Sequence, residues 1–341
     1  MKKLLSAWLA LCLLAAVFTG CSPKEAAPSS QPESSSSQVS QASSQPYQIG
    51  LVQYLDHAAL NTAREAFMSR LEEWSYDASK VEIDYQNAQG DSAKLEEICQ
   101  GFVEDGVDMI VAVSTPAAQA AVKAAQGTDV KVLFAAVNDP QEDLGIANLD
   151  EPEGSVTGVS DQAAVSATID LAKQATPSIQ TLGLLHSGED AAVSAAAQAK
   201  TYAEGLGLTV VEKVVSSQAE FQQAAEELCG QADAILTASD NLAAASAEAI
   251  AQAASAAGKP WYAHGDCQLV QQGALAGVSV DYAEVGSKCA DLAVQVMAGR
   301  PVAELPVHFF SQPEVYLNLA AQQALAVEFP AEALDTALFF S

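Results

Sequence analysis

Residues 109–119 read Met109-Ile110-Val111-Ala112-Val113-Ser114-Thr115-Pro116-Ala117-Ala118-Gln119. Five consecutive apolar residues fit a strand buried on both faces. Thr115 can cap the helix that follows, and Pro116 suits a first helical position, where its missing N–H costs nothing. The unit is strand, polar turn, helix, and it recurs. Further strand candidates are Ile49–Leu55, Val81–Tyr85, Val132–Val137, Val156–Val159, Thr181–Leu185, Thr209–Val215, Ala234–Thr237, Trp261–His264 and Gly277–Val280. Between them, Leu60, Ala63, Phe67, Leu71 and Trp74 step by three and four, as do Val285, Cys289, Leu292 and Val296. Asn241 to Ala257 is mostly Ala and predicts one helix with a shallow packing face. Such alternation implies parallel sheets with helices on both sides. Ten strands predict two sheets of about five, hence two doubly wound α/β lobes dividing near Ser160-Asp161.

In open α/β sheets, ligands bind beyond the carboxyl ends of the strands, beside helix N-termini. Polar residues gather there: Tyr54, Asp56 and His57; Ser114 and Thr115; Asn138 and Asp139; Ser160 and Asp161; Ser187 and Glu189; Asp240 and Asn241; His264 and Asp266; Asp281 and Tyr282. A single Asp or Asn at such a position is ordinarily a helix cap. Eight successive clusters exceed what capping requires, and two facing lobes would collect them in one cleft. A small polar ligand with an apolar part suits such a cleft.

Enzyme signatures are absent: there is no GxGxxG, Walker-type loop, HExxH or GxSxG. None of His57, His186, His264 and His308 has a nearby nucleophile or a second His at metal-ligand spacing, and no Cys/His cluster suggests zinc. The sequence thus predicts neither an enzyme nor a metal or cofactor protein, and His308 reads as structural. The net charge of −28, from 15 Lys+Arg against 43 Asp+Glu, argues against a nucleic-acid partner. Cys99, Cys229, Cys267 and Cys289 are widely spaced among apolar neighbours. They read as buried free thiols, with a disulfide as the alternative.

The chain begins with Lys2 and Lys3, an apolar run from Leu4 to Phe18, and Thr19-Gly20-Cys21. This predicts a signal peptide over 1–20 and lipidation at Cys21; the apolar run is short for a membrane span, which needs ~20 residues. Two acyl chains would anchor stably where one would not. The Ser/Gln/Pro-rich stretch to Pro46 predicts a disordered tether over 21–46, its random-coil reach roughly 25–30 Å. The expected location is the extracytoplasmic face of the cell membrane.

Several motifs resemble a family of bacterial ABC-transporter substrate-binding lipoproteins. Gln86-Asn87-Ala88-Gln89-Gly90-Asp91 matches its "QNAQGD", Thr115–Gln119 its "TPAAQ", and Val156–Asp161 its "VTGVSD". Ser239-Asp240-Asn241 resembles "TDN", and Gly273-Ala274-Leu275 with Val280-Asp281-Tyr282 resembles "GAL…VDY". The resemblance implies a fold similar to type I periplasmic binding proteins, with a cleft between lobes joined by three crossings. The lobes would be 47–161 with 283–310 returning, and 162–282 with 311–341 returning. It implies a monomer that captures an amino acid, aromatic favoured, for an ABC permease in the same membrane. A sensor for a membrane receptor, or a binder of a nucleoside- or sugar-like solute, is the alternative. For an amino acid, Ser114 and Thr115 would hold the carboxylate, and Asp161, Asp240 or Asp266 the ammonium. Tyr54 or Tyr282 would lie on an aromatic side chain. The family's "NxGEANS" here reads Ser187-Gly188-Glu189-Asp190-Ala191-Ala192, which lacks both Asn and the final Ser.

Overall fold

The computed structural model describes residues 45–152 and 154–341. The signal, Cys21 and nearly all of the tether read from the sequence lie outside them. The first sheet holds β1 (Tyr47–Gln53), β2 (Val81–Asn87), β3 (Met109–Val113), β4 (Lys131–Val137) and β5 (Val156–Ser160). All pairs are parallel, in the order β2-β1-β3-β4-β5. Helices α1 (Ala58–Glu73), α2 (Ser92–Asp105), α3 (Thr115–Ala125) and α4 (Pro140–Leu144) connect them.

The second sheet holds β6 (Thr181–Ser187), β7 (Thr209–Val215), β8 (Ala234–Thr237), β9 (Trp261–His264), β10 (Ala276–Ser279), β11 (Glu314–Asn318) and β12 (Leu338–Phe340). Its helices are α5 (Val165–Ala175), α6 (Asp190–Gly205), α7 (Gln218–Cys229), α8 (Asn241–Ala245), α9 (Ala247–Ala257) and α10 (Cys267–Gln271). α11 (Tyr282–Met297), α12 (Leu319–Leu325) and α13 (Ala331–Thr336) follow. The strand order is β12-β11-β10-β9-β8-β6-β7, so β7-β6-β8-β9-β10 repeats the winding of the first sheet. In each lobe the order reverses beside the first strand, which opens a crevice at the strand ends.

Each sheet is buried on both faces. Leu51, Phe67, Val111 and Leu133 pack with Cys289 and Leu292 on one face of the first sheet, and Phe102, Ile110 and Phe134 on the other. Trp261, Phe221 and Ile250 fill one face of the second sheet, and Tyr262, Leu236 and Leu275 the other. α11 leaves the second sheet and packs across α1, where Gly286 is forced by contact: a Cβ there would lie 1.9 Å from the Ala63 carbonyl oxygen. Gly286→Ala is expected to cost about 1–3 kcal/mol, because the helices must part to admit it. Urea unfolding with wild-type stability would show that the crossing relaxes freely.

Four expectations need correction. The second sheet has seven strands, not five, and β10–β11 is antiparallel. Residues 241–257 form two helices, because the Ser246 hydroxyl bonds back to the Leu242 carbonyl at 2.7 Å and the backbone turns out of helical geometry. The cap of α3 is Ser114, not Thr115; the Ser114 Oγ accepts from the Ala117 N–H at 3.4 Å, and Thr115 opens the helix. All four described cysteines sit in helices, buried as free thiols, and burial pushes Cys99, Cys267 and Cys289 up to about 12. His308 lies beside β5, its N–H donating to the Gly158 carbonyl at 2.9 Å, so its backbone seats the third passage between lobes.

Candidate ligand-binding cleft

The strand ends of both lobes meet around a cavity of about 30 Å³. Since a water needs roughly 10–15 Å³ of such space, an amino acid fits only if the lobes part. Lining it are His57, Thr115, Asn138, Asp161, Asp240, Asn241, Asp266 and Tyr282. None of the lining residues is Lys or Arg. A far larger groove, about 1110 Å³, runs between α6 and the α3–α4 region, but it is open and gathers no comparable set of buried polar atoms.

Contacts cross the cleft. His57 Nε2 lies 3.2 Å from Asn241 Oδ1, and Asn138 Nδ2 donates to Ser239 Oγ at 3.5 Å. The Tyr282 hydroxyl lies 2.7 Å from Asp161 Oδ2 and 2.8 Å from the Gly265 carbonyl. Its single proton serves one acceptor at a time. Gly265 sits at φ +83°, and a Cβ there would strike the Ser239 hydroxyl. Two other residues on the cleft side are strained: Ser114 at φ 101° and Ala136 at φ 61°. Such backbone costs about 1–3 kcal/mol and persists where the surroundings impose it. Ala136 is the extra residue where the β4–β5 register shifts, and the bulge turns it into the cavity.

Not every strand-end residue faces the cavity. Asp139 caps α4, accepting from Gln141 and Glu142 N–H at 3.1 Å. Ser160 is buried with its hydroxyl on the Asn138 carbonyl. Ser187 accepts from the Glu189 N–H at 3.2 Å and donates its own N–H to Asp240. Asp240 lines the cavity, but its other oxygen caps α8 at Ala243 N, so both oxygens are committed to backbone. Tyr54 is buried with its hydroxyl on the Gly90 carbonyl, beside Glu189. The Tyr282 hydroxyl is held between Asp161 and Gly265, which leaves its ring in the wall. Leu60, Ala136, Ala238, Ala244 and Leu269 also line the cavity. They escaped the sequence reading because Ala and Leu within apolar runs look like core.

Among the described residues, three buried polar atoms have no partner: His57 Nδ1, Asp161 Oδ1 and Glu189 Oε1. Burial pushes Asp266 up to about 7 and Asp161 up to about 6. Burial, then the Asp240 charge, raises Glu189 to about 7, and burial also raises Asp240. Burial lowers His57 and His264 to about 4, so both imidazoles are neutral at pH 7. Raised acids bind more protons folded than unfolded, so their contribution to stability falls as pH rises from about 4 to 7; the two lowered histidines act in the opposite sense from about 4 to 6.5. A cationic ligand needs the acids ionised. Its affinity is therefore expected to fall about tenfold from pH 8 to pH 6 through Asp266 alone, measured by calorimetric titration. A flat profile would exclude these carboxylates from binding.

Two parallel-sheet lobes whose strand ends close on a polar cavity define a solute-binding protein. The chain belongs to the ABC transporter substrate binding protein family, which matches residues 48–338; it is a family of binding proteins, not enzymes. The chain is 32% identical over 331 residues to the tyrosine-binding protein of Clostridioides difficile (strain R20291), covering 96% of this chain and 93% of that one. It superposes with a TM-score of 0.82 on an ABC domain in complex with L-Trp from Streptococcus pneumonia, at 31% identity, covering 87% of this chain and all of that one. The ligand-free, open structure of a substrate binding protein with adhesive properties from Clostridium difficile, also 31% identical, gives 0.66, covering 86% of this chain and 99% of that one. Proteins of this family act outside the cytoplasm. Among the described residues no helix is long and apolar enough to cross a membrane.

Proposed function

We propose that this chain captures an amino acid, aromatic side chains favoured, and delivers it to an ABC permease for import. The observation that carries the reading is the pair of unpartnered buried atoms His57 Nδ1 and Asp161 Oδ1, with Asp266 Oδ2 3.7 Å from the first, in a cavity lined by neither Lys nor Arg. Such a site calls for a donor-rich cation, and an ammonium group has three N–H donors. The start of α3 at Thr115 supplies the opposite pole, since a helix N-terminus favours a carboxylate. The tyrosine and tryptophan in the names of the two relatives support an aromatic amino acid.

In this reading, 47–161 with 283–310 and 162–282 with 311–341 move as two lobes about three crossings. Closure brings His57 and Thr115 from one lobe onto Asn241 and Asp266 from the other, and the closed monomer docks on the permease. Lipid on Cys21 and the tether to Pro46 hold the domain at the outer membrane surface. Thermal-shift screening of the full chain against the twenty amino acids tests the ligand class. Stabilisation by tyrosine or tryptophan is expected; no shift with any amino acid, but a clear one with a nucleoside or sugar, would sink it. Retention of [³H]palmitate by wild type, and its loss in Cys21→Ala, tests the anchor.

A further inference from the structure

We infer that Glu189 is a positioning residue that acts through Asn241 to make His57 a hydrogen-bond acceptor for the ligand's ammonium group. The inference rests on the reading that the ligand brings an ammonium into the cleft. Glu189 stands in the turn before α6, Asn241 opens α8 and His57 directly precedes α1, so the three residues form a chain from one lobe to the other.

The donor and acceptor roles along this chain are forced in sequence. An ionised carboxylate only accepts. Asn241 must therefore turn its NH₂ toward Glu189 Oε2, which it reaches at 2.9 Å. That leaves Asn241 Oδ1, which also only accepts, facing His57 Nε2 at 3.2 Å. The imidazole proton accordingly sits on Nε2. His57 Nδ1 is then a bare lone pair, buried and without a partner, 3.7 Å from Asp266 Oδ2. That spacing is too long for a hydrogen bond between them. A donor seated at the gap finds Nδ1 and Asp266 Oδ2, with Asp161 Oδ1 as a third unmatched acceptor of the same cavity. The three acceptors line one cavity, and an ammonium group has three N–H donors to offer them.

The relay reverses when Glu189 takes up a proton. A carboxylic acid can donate to Asn241 Oδ1, and the turned amide would present NH₂ to His57 Nε2. The imidazole proton would move to Nδ1 and point at the ammonium. The groups that face this chain are few. Tyr54 and Asp240 face Glu189, Asp56 and Asp266 face His57, and Asp161 with Tyr282 faces Asp266.

The test uses the full-length chain with ¹⁵N-labelled histidine, the His57 signals assigned by their loss in His57→Asn. At pH 8 the wild type is expected to show the Nε2–H tautomer. Glu189→Gln keeps the size of the side chain, but its amide can either donate or accept, so both tautomers should appear. Affinity for L-tyrosine or L-tryptophan should fall about tenfold, as for one lost hydrogen bond to a charged group. Asn241→Ala, which removes the link, should release the tautomer in the same way. An Nδ1–H tautomer in the wild type overturns the inference. So does a tautomer unmoved in both variants, or a shift of tautomer without loss of affinity. If no amino acid binds the wild type while the tautomer is Nε2–H, the ligand reading fails, and the role given to Nδ1 fails with it; the separate tautomer result shows which premise broke.

Discussion

Asp161→Asn is expected to weaken binding of tyrosine or tryptophan by about 2–5 kcal/mol, the usual effect of truncating one side of a buried charge pair. Asp161 is only 6% exposed and is held by the Tyr282 hydroxyl on one oxygen, with the other oxygen free for a ligand. The isosteric change leaves Tyr282 able to donate to the Gly265 carbonyl at 2.8 Å, so the passage between lobes stays intact. The expected result is a loss of affinity without a comparable loss of fold stability. Calorimetric titration with an unfolding curve on the same sample separates the two. Equal affinity in both proteins would move the ammonium site away from Asp161.

Trp261→Ala is expected to destabilise the fold by about 3–5 kcal/mol. Trp261 is 1% exposed in the core of the second lobe, and its indole N–H donates to Thr237 Oγ1 at 3.0 Å. The change removes a large buried surface, leaves a gap between β9 and α9, and strips the Thr237 hydroxyl of its donor. Urea unfolding should show a lower midpoint with little change in slope. A loss under about 1 kcal/mol would mean that the surrounding Ala-rich helices collapse into the space.

The winding of both lobes was legible because buried parallel strands announce themselves as unbroken apolar runs. Met109–Val113, Thr209–Val215, Ala234–Thr237 and Trp261–His264 have the limits read from the sequence. β11 and β12 were not legible: β12 is a three-residue edge strand, and β11 joins the sheet antiparallel beside β10, a pairing chosen by the neighbouring strand and not by its own composition. The broken helix at Ser246 was hidden because its Ala run has uniformly high propensity. One hydroxyl bonding back to Leu242 decides it. In the cleft, residue types at strand ends pointed to His57, Asp161, Asn241 and Asp266, yet the same types at Asp139 and Ser160 are spent on caps and turns. Capping and ligand binding use the same short polar side chains, so position along the chain does not separate them.

By itself the sequence determined the repeated strand–turn–helix unit, the two lobes, the absence of enzyme signatures and the gathering of acids at the strand ends. These follow from local periodicity and composition. Only the tertiary structure decided which of those acids keeps an unused oxygen, that the Ala136 bulge faces the cavity, and that Asn241 hands its carbonyl to His57. Those outcomes depend on partners 23 to 184 residues away in the chain. A hydrogen bond is spent or free according to what the fold brings within 3.5 Å, and no local pattern records that.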